Sequence, residues 1–137
     1  MNVSLVPGSH VESVWDSVKD FLAPAVKVTN GRYMLYDVYA AIKADRMQLW
    51  IAFNDDREVL GCEVTSITDY PSRRILTSVF TGGRKISLWK NEMMGVLVRW
   101  AEDNQCTAIE GYGRKGWIRM LDAYGVKQSL ILFEKDI

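Results

Sequence analysis

The order of structural signals in this 137-residue chain predicts a mixed α/β (α+β) fold, an antiparallel meander followed by strand, helix, strand, helix and strand. Two observations carry that prediction. The hydrophobic period changes from helical to alternating near Met47, and three strand-like runs then follow one another with only short turns between them. After the third run, Thr81-Gly82-Gly83-Arg84-Lys85 leads straight into a helix and then another strand, a crossover that requires its flanking strands to be parallel.

A short strand over Val3 to Val6 opens the chain. Ser9-His10-Val11-Glu12 has the Ser-x-x-Glu form of a capping box, and Val11, Val14, Trp15, Val18, Phe21 and Leu22 recur at helical spacing until Pro24. Asn30-Gly31 signals a turn, after which Leu35, Val38, Tyr39 and Ile42 mark a second helix that fades near Asp45. Met47 to Phe53 and Glu58 to Ile67, separated by Asn54-Asp55-Asp56-Arg57, read as a hairpin, and Arg74 to Phe80 follows Pro71 as a third strand. Ile86, Trp89, Met93, Val96, Leu97 and Trp100 define the strongest helix, with an apolar face broad enough to cover a sheet. Thr107 to Tyr112 is a short strand, and Gly113-Arg114-Lys115-Gly116 opens a helix carrying Trp117, Met120, Leu121 and Tyr124 that stops at Gly125. Gln128 to Phe133 is nearly all apolar and is expected as a last strand buried on both faces.

Composition narrows the function. Seventeen basic residues balance seventeen acidic ones, so the chain lacks the broad positive footprint of a nucleic-acid or membrane-surface binder. No stretch approaches the ~18 apolar residues of a membrane span, and Met-Asn-Val-Ser-Leu lacks the plan of a signal peptide, so a cytoplasmic protein of one domain, residues 1–137, is expected. Cys62 and Cys106 are too few for a disulfide framework and are expected as buried thiols, and with His10 as the sole histidine no spacing suggests a metal site. The five tryptophans read as core residues rather than base-stacking platforms, since Trp89 and Trp100 share one helical face.

Ligands of mixed sheets gather at the carboxyl ends of strands beside helix N-termini, which here is Gly82-Gly83-Arg84-Lys85. The glycines let backbone approach a ligand, free helix N–H groups attract anions, and Arg84 and Lys85 add positive charge, so the chemistry favoured is phosphate binding. The plainer alternative is a tight turn with solvated charges. For acid–base work, Glu63 lies on a central strand and Glu110 on the short one; either is otherwise a solvent-facing strand residue.

Over residues 33 to 133 the chain resembles the GNAT-type N-acyltransferases, in particular the short GNAT-like proteins of tailed bacteriophages. The resemblance rests on the element order, on Tyr36-Asp37-Val38 leading to Gln48-Leu49-Trp50, on Gly113-Arg114-Lys115-Gly116-Trp117-Ile118-Arg119-Met120-Leu121, and on Tyr124-Gly125-Val126. It implies a GNAT-like sheet with helices on both faces and transfer of an acetyl group from acetyl-CoA to an unidentified amine. It also implies acyl-CoA wedged between Arg74 to Phe80 and Thr107 to Tyr112, with its pyrophosphate in the loop Gly82 to Ser87. Phe80, Gly82, Gly83, Arg84, Lys85 and Ser87 are then the cofactor-binding candidates, joined by Arg114, whose charge is placed to touch a nucleotide phosphate. That loop reads Gly-Gly-Arg-Lys-Ile-Ser and lacks the second spaced glycine of the family pattern. The family's general-acid tyrosine falls at Leu121, leaving Tyr112 and Tyr124 as nearby substitutes and Glu63 as the base. The rival reading is a GNAT-fold phage protein without catalysis, serving as a binding or virion-assembly component whose partner is a phage or host protein.

Overall fold

In the computed structural model, which describes residues 1–137, one sheet is formed by β1 (Asn2–Val6), β2 (Gln48–Phe53), β3 (Val59–Asp69), β4 (Arg74–Gly83) and β5 (Ala108–Gly111). The strands lie side by side in chain order. β1 to β4 are antiparallel neighbours, and β5 runs parallel to β4 across the expected helical crossover.

Helix α1 (Val11–Lys27) buries Val11, Val18, Leu22 and Val26 along one stripe, and α2 (Leu35–Lys43) adds Val38 and Ile42 to the same face of the sheet. They cover Leu49, Cys62, Val64 and Phe80. On the opposite face α3 (Lys90–Asp103) lays Met93, Leu97 and Ala101 over Trp50, Ala52, Leu60 and Leu76. The sheet therefore separates two apolar cores, and helices cover both of its faces as the resemblance implied. Each fully buried aliphatic side chain contributes about 1.5–3 kcal/mol to holding these layers together.

Several local expectations need correction. The Ser9–Glu12 capping box does not form: Gly8–His10 makes a 3-10 turn, His10 precedes α1, and no side chain caps it. α1 also continues past Pro24 to Lys27. Pro24 is exposed, so the carbonyl deprived of its helical partner faces water, while Val26 keeps the apolar stripe in the core. A 3-10 turn, Ile86–Leu88, intervenes between β4 and α3, so that helix begins at Lys90 rather than directly after the glycines. Cys62 is buried as expected, but Cys106 is only half-buried.

The largest departure is at the C-terminus. Beyond α4 (Gly116–Leu121) and a last 3-10 turn, Gln128 to Phe133 is not a strand and is not buried. Leu130 is 89 % and Phe133 86 % exposed. The sheet ends at β5, and Glu134 is held on the turn between α1 and α2 by Asn30 and Arg32, so nothing in the chain covers the run. Apolar composition alone supplies no neighbour for a segment to be buried against.

Candidate active site

The site is built where β4 parts from β5. β5 pairs with β4 only from Ile75 to Ser78, whose partners are Ala108 to Gly111, and beyond Ser78 β4 continues to Gly83 alongside β3 alone. At that point β4 carries a bulge: Val64 pairs with Phe80 and Thr65 with Ser78, leaving Val79 as the extra residue. One additional residue reverses which side chains face which layer. Leu76 faces the α3 core, whereas Phe80, four residues on, faces the α1 core and Thr81 returns to the α3 side.

That reversal puts Thr81 directly opposite Glu63 of β3. The Thr81 hydroxyl donates to Glu63 Oε1 at 2.8 Å, and Trp50 of β2 flanks the acid on its other side. Glu63 is 9 % exposed. Burial pushes its carboxyl up to about 7, against the lowering effect of hydrogen bonds from Thr81 and Ser78, so near neutral pH it exchanges a proton readily. Next to it lies a cavity of about 40 Å³ walled by Trp89, Met93, Trp117 and Leu121. That is several times the space needed to admit one water, so there is room for water beside the carboxyl group.

On the outer side of Thr81, a cleft of about 420 Å³ runs between α1 and α4, lined by Asp20, Phe21, Gly82, Gly83, Lys85 and Trp117 among others. The two glycines serve packing as well as turn geometry. A Cβ on Gly82 would lie 1.9 Å from the Phe21 carbonyl oxygen, so this glycine is what allows α1 to press against β4. Gly83, at φ +148°, lies against Gly61 and the Trp89 ring, and Trp89 Nε1 donates to the Arg84 carbonyl at 3.0 Å, which fastens the turn to the α3 core.

The other sequence candidates fall into distinct places. Lys85 lines the cleft and makes no ion pair, while Arg84 pairs with Glu58 and is directed away from it. Phe80 is buried against Tyr33, edge to face at 5.3 Å, so only its backbone borders the β4–β5 divergence. Ser87 and Arg114 are exposed and line neither space. Tyr112, 68 % exposed, follows β5; partial burial and the neighbouring Glu110 and Tyr33 raise its phenol above the ordinary range. Tyr124 donates to Asn91 at the start of α3. Glu110 accepts from Tyr70 at 2.6 Å and Thr77 at 3.2 Å, and is engaged there rather than with Glu63. Leu121 lines the Glu63 cavity.

Three participants were not picked out from sequence. Trp117 and Met120 line both spaces and thus form the partition between the buried acid and the cleft. Their helical spacing was visible but pointed only to core packing. The sequence puts Thr81 in the turn after a strand ending at Phe80, whereas β4 runs on to Gly83, and nothing local reveals the bulge that turns the Thr81 hydroxyl to Glu63, because the bulge is a property of the β3–β4 pairing.

No family model and no curated protein matches the chain. Solved structures do share its architecture. The tetramutant of a protein from Bacillus halodurans has a TM-score of 0.77 at 9% identity, with 100% of both chains covered. The ribosomal-protein-alanine N-acetyltransferase of Brucella melitensis biovar Abortus 2308 gives 0.74 at 10% identity, again over 100% of each chain. An aminoglycoside acetyltransferase from an uncultured soil metagenomic sample, solved with sisomicin, gives 0.70 at 7% identity over 99% of this chain and 95% of that one. With so little identity the likeness is one of architecture, and on it the chain has the GNAT fold of the acetyltransferases.

Proposed function

We propose that the protein is an acyl-CoA-dependent N-acyltransferase that moves an acetyl group from acetyl-CoA to an amine. The observation that carries this reading is Glu63, a carboxyl group buried at the divergence of β4 and β5 and poised near neutrality. The residues present fit the cofactor at two points. Past Ser78, β4 has no partner strand on its β5 side, which suits the backbone pairing of a pantetheine arm, and Lys85 is an unpaired cation on the adjoining cleft. Arg84 is already neutralised by Glu58, so Lys85 with the backbone of the turn would hold the phosphates. When bound, acetyl-CoA supplies an acyl thioester open to attack by nitrogen. Glu63 accepts the proton of the attacking amine, directly or through water, for which the adjoining cavity has room. Thr81 fixes the carboxylate, and Trp117 and Met120 screen it from the bulk. Leu121 has no proton to give, so the departing thiolate takes its proton from solvent or leaves as the anion.

Calorimetric titration with acetyl-CoA, and with free CoA and desulfo-CoA beside it, tests the binding half. Micromolar affinity is expected. For the chemical half, Glu63→Gln is expected to keep that affinity and lower turnover by about 10²–10⁴-fold, the usual worth of a positioned base. Undiminished turnover removes Glu63 from the mechanism.

A second reading has its own support. Leu121 in place of an acid and Arg84 tied to Glu58 favour a GNAT-fold phage protein that binds a partner or takes part in virion assembly without catalysis. Absence of binding at millimolar acetyl-CoA decides for it.

A further inference from the structure

Outside the Glu63 site, one carboxylate is held in a fixed orientation with no cation to neutralise it. Glu110 lies opposite Thr77 of β4, on the face away from α3, since Leu76 and Ile109 beside them enter the α3 core. The helices of that other face pack on Leu49, Cys62, Val64 and Phe80 of β2 to β4, so Glu110 stays half-buried at their margin. Its Oε1 accepts from the Tyr70 hydroxyl at 2.6 Å and from the Thr77 hydroxyl at 3.2 Å, and Thr68 in turn donates to Thr77 at 2.7 Å. Two donors on one oxygen orient the group and leave Oε2 without a partner and open to solvent. No cation of the chain pairs with it: Arg74 is bound to Asp69, and Arg73 donates to Thr107 just before β5.

Three tyrosines share this corner. Tyr70 is bonded to the carboxylate, the exposed Tyr112 follows it by two residues, and Tyr33, from the segment between α1 and α2, neighbours Tyr112. The bond to Glu110 pushes the Tyr70 phenol up to about 12, so the hydroxyl keeps its proton and goes on donating at any working pH. A carboxylate oxygen beside aromatic rings attracts a cation by its charge and by the negative faces of the rings. The position also bears on Glu63. Glu110 stands one pair before β4 and β5 part at Ser78 and Gly111, and Thr81, which holds Glu63, is four residues beyond Thr77. At the usual rise of a strand that is about 13 Å, within the span of one extended aliphatic chain and its hydrogen bonds.

We propose that Glu110, with Tyr70, Tyr112 and Tyr33 beside it, is a cation-binding site that takes the second nitrogen of the acceptor, so that the amines acylated are aliphatic diamines or polyamines. This rests on the acyltransferase reading, in which the amine to be acylated stands at Glu63. The far ammonium donates to Oε2 of Glu110, a charge-assisted bond that a monoamine cannot make. Glu110 thus sets which acceptor binds, while the proton transfer stays with Glu63.

Octamethylenediamine and octylamine, equal in chain length, test the site by calorimetric titration and as acceptors in the presence of acetyl-CoA. The diamine is expected to bind the more tightly and to exceed the monoamine in kcat/KM by about 10–100-fold, through KM, the usual worth of a hydrogen bond to a charged group. Glu110→Gln is expected to bring that ratio to about one, with circular dichroism reporting an intact fold. Tyr112→Leu, at an exposed ring, is expected to lower the ratio severalfold and serves if the first variant does not fold. Equal turnover of the two amines by the wild type overturns the proposal and leaves the acyltransferase reading standing. A preference that a folded Glu110→Gln chain retains overturns it as well, by placing the cation elsewhere. Diamine binding that is lost in Glu110→Gln, without turnover of either amine, upholds the cation site and overturns the acyltransferase reading instead.

Discussion

Glu63 couples the chemistry of the site to the stability of the molecule. Its carboxyl titrates at about 7 in the fold against an ordinary value of 4.5, so between those pH values the folded chain binds more protons than the unfolded one. Stability must then fall as pH rises from the lower value to the higher, and stay reduced above it; the difference corresponds to about 3 kcal/mol. Glu63→Gln keeps an acceptor for Thr81 and removes the charge. Thermal unfolding is expected to show the variant close to the wild type near pH 4.5 and clearly more stable at pH 8. If the two curves fall in parallel with pH, some other group carries the titration. If Glu63 is the base of the proposed transfer, kcat/KM is expected to rise through the same region, and the pH range in which the base is ready is then the range in which the fold bears its cost.

Among the elements, the approach of α1 to β4 is controlled by one position. Gly82→Ala would drive a methyl group into the Phe21 carbonyl, and since both sides are backbone neither can swing aside. A loss of about 1–3 kcal/mol in urea unfolding is expected, as for other overpacked sites. Gly116→Ala on α4 is the control: nothing lies within 4 Å of the added carbon, and the change is expected to be neutral or stabilising by up to about 1 kcal/mol. A silent Gly82→Ala would mean that α1 sits farther from the sheet. These glycines show what was legible in the sequence. Their place at the end of β4 could be read, and so could the helices, the hairpin and the candidate acid Glu63. Their purpose could not, because Phe21 is 61 positions away from Gly82 and only the fold brings the two together. The bulge at Val79 was invisible for the same reason. Without it Thr81 would face α1 rather than Glu63, so the residue that organises the site depends on a register no local pattern encodes.

At the scale of the whole molecule the sheet acts as a partition. Ile42, 1 % exposed, belongs to the core under α1 and α2, and Leu97, 2 % exposed, to the core under α3. No buried side chain is shared between the two. Ile42→Val is expected to cost about 0.5–1.5 kcal/mol and Leu97→Ala about 2–5 kcal/mol. In the double mutant the two costs are expected to add to within about 0.5 kcal/mol, because the sheet's backbone separates the two cavities and is held by its own hydrogen bonds. Urea unfolding of the two single variants and the double variant measures the coupling directly. Additivity is what allows Glu63 to sit among Trp89, Met93 and Trp117 on the α3 side while α1 and α2 pack independently behind β3. A coupling well above that limit would mean that the strands transmit strain between the faces, and then a change under α2 would also shift the Thr81–Glu63 pair and with it the titration of the acid.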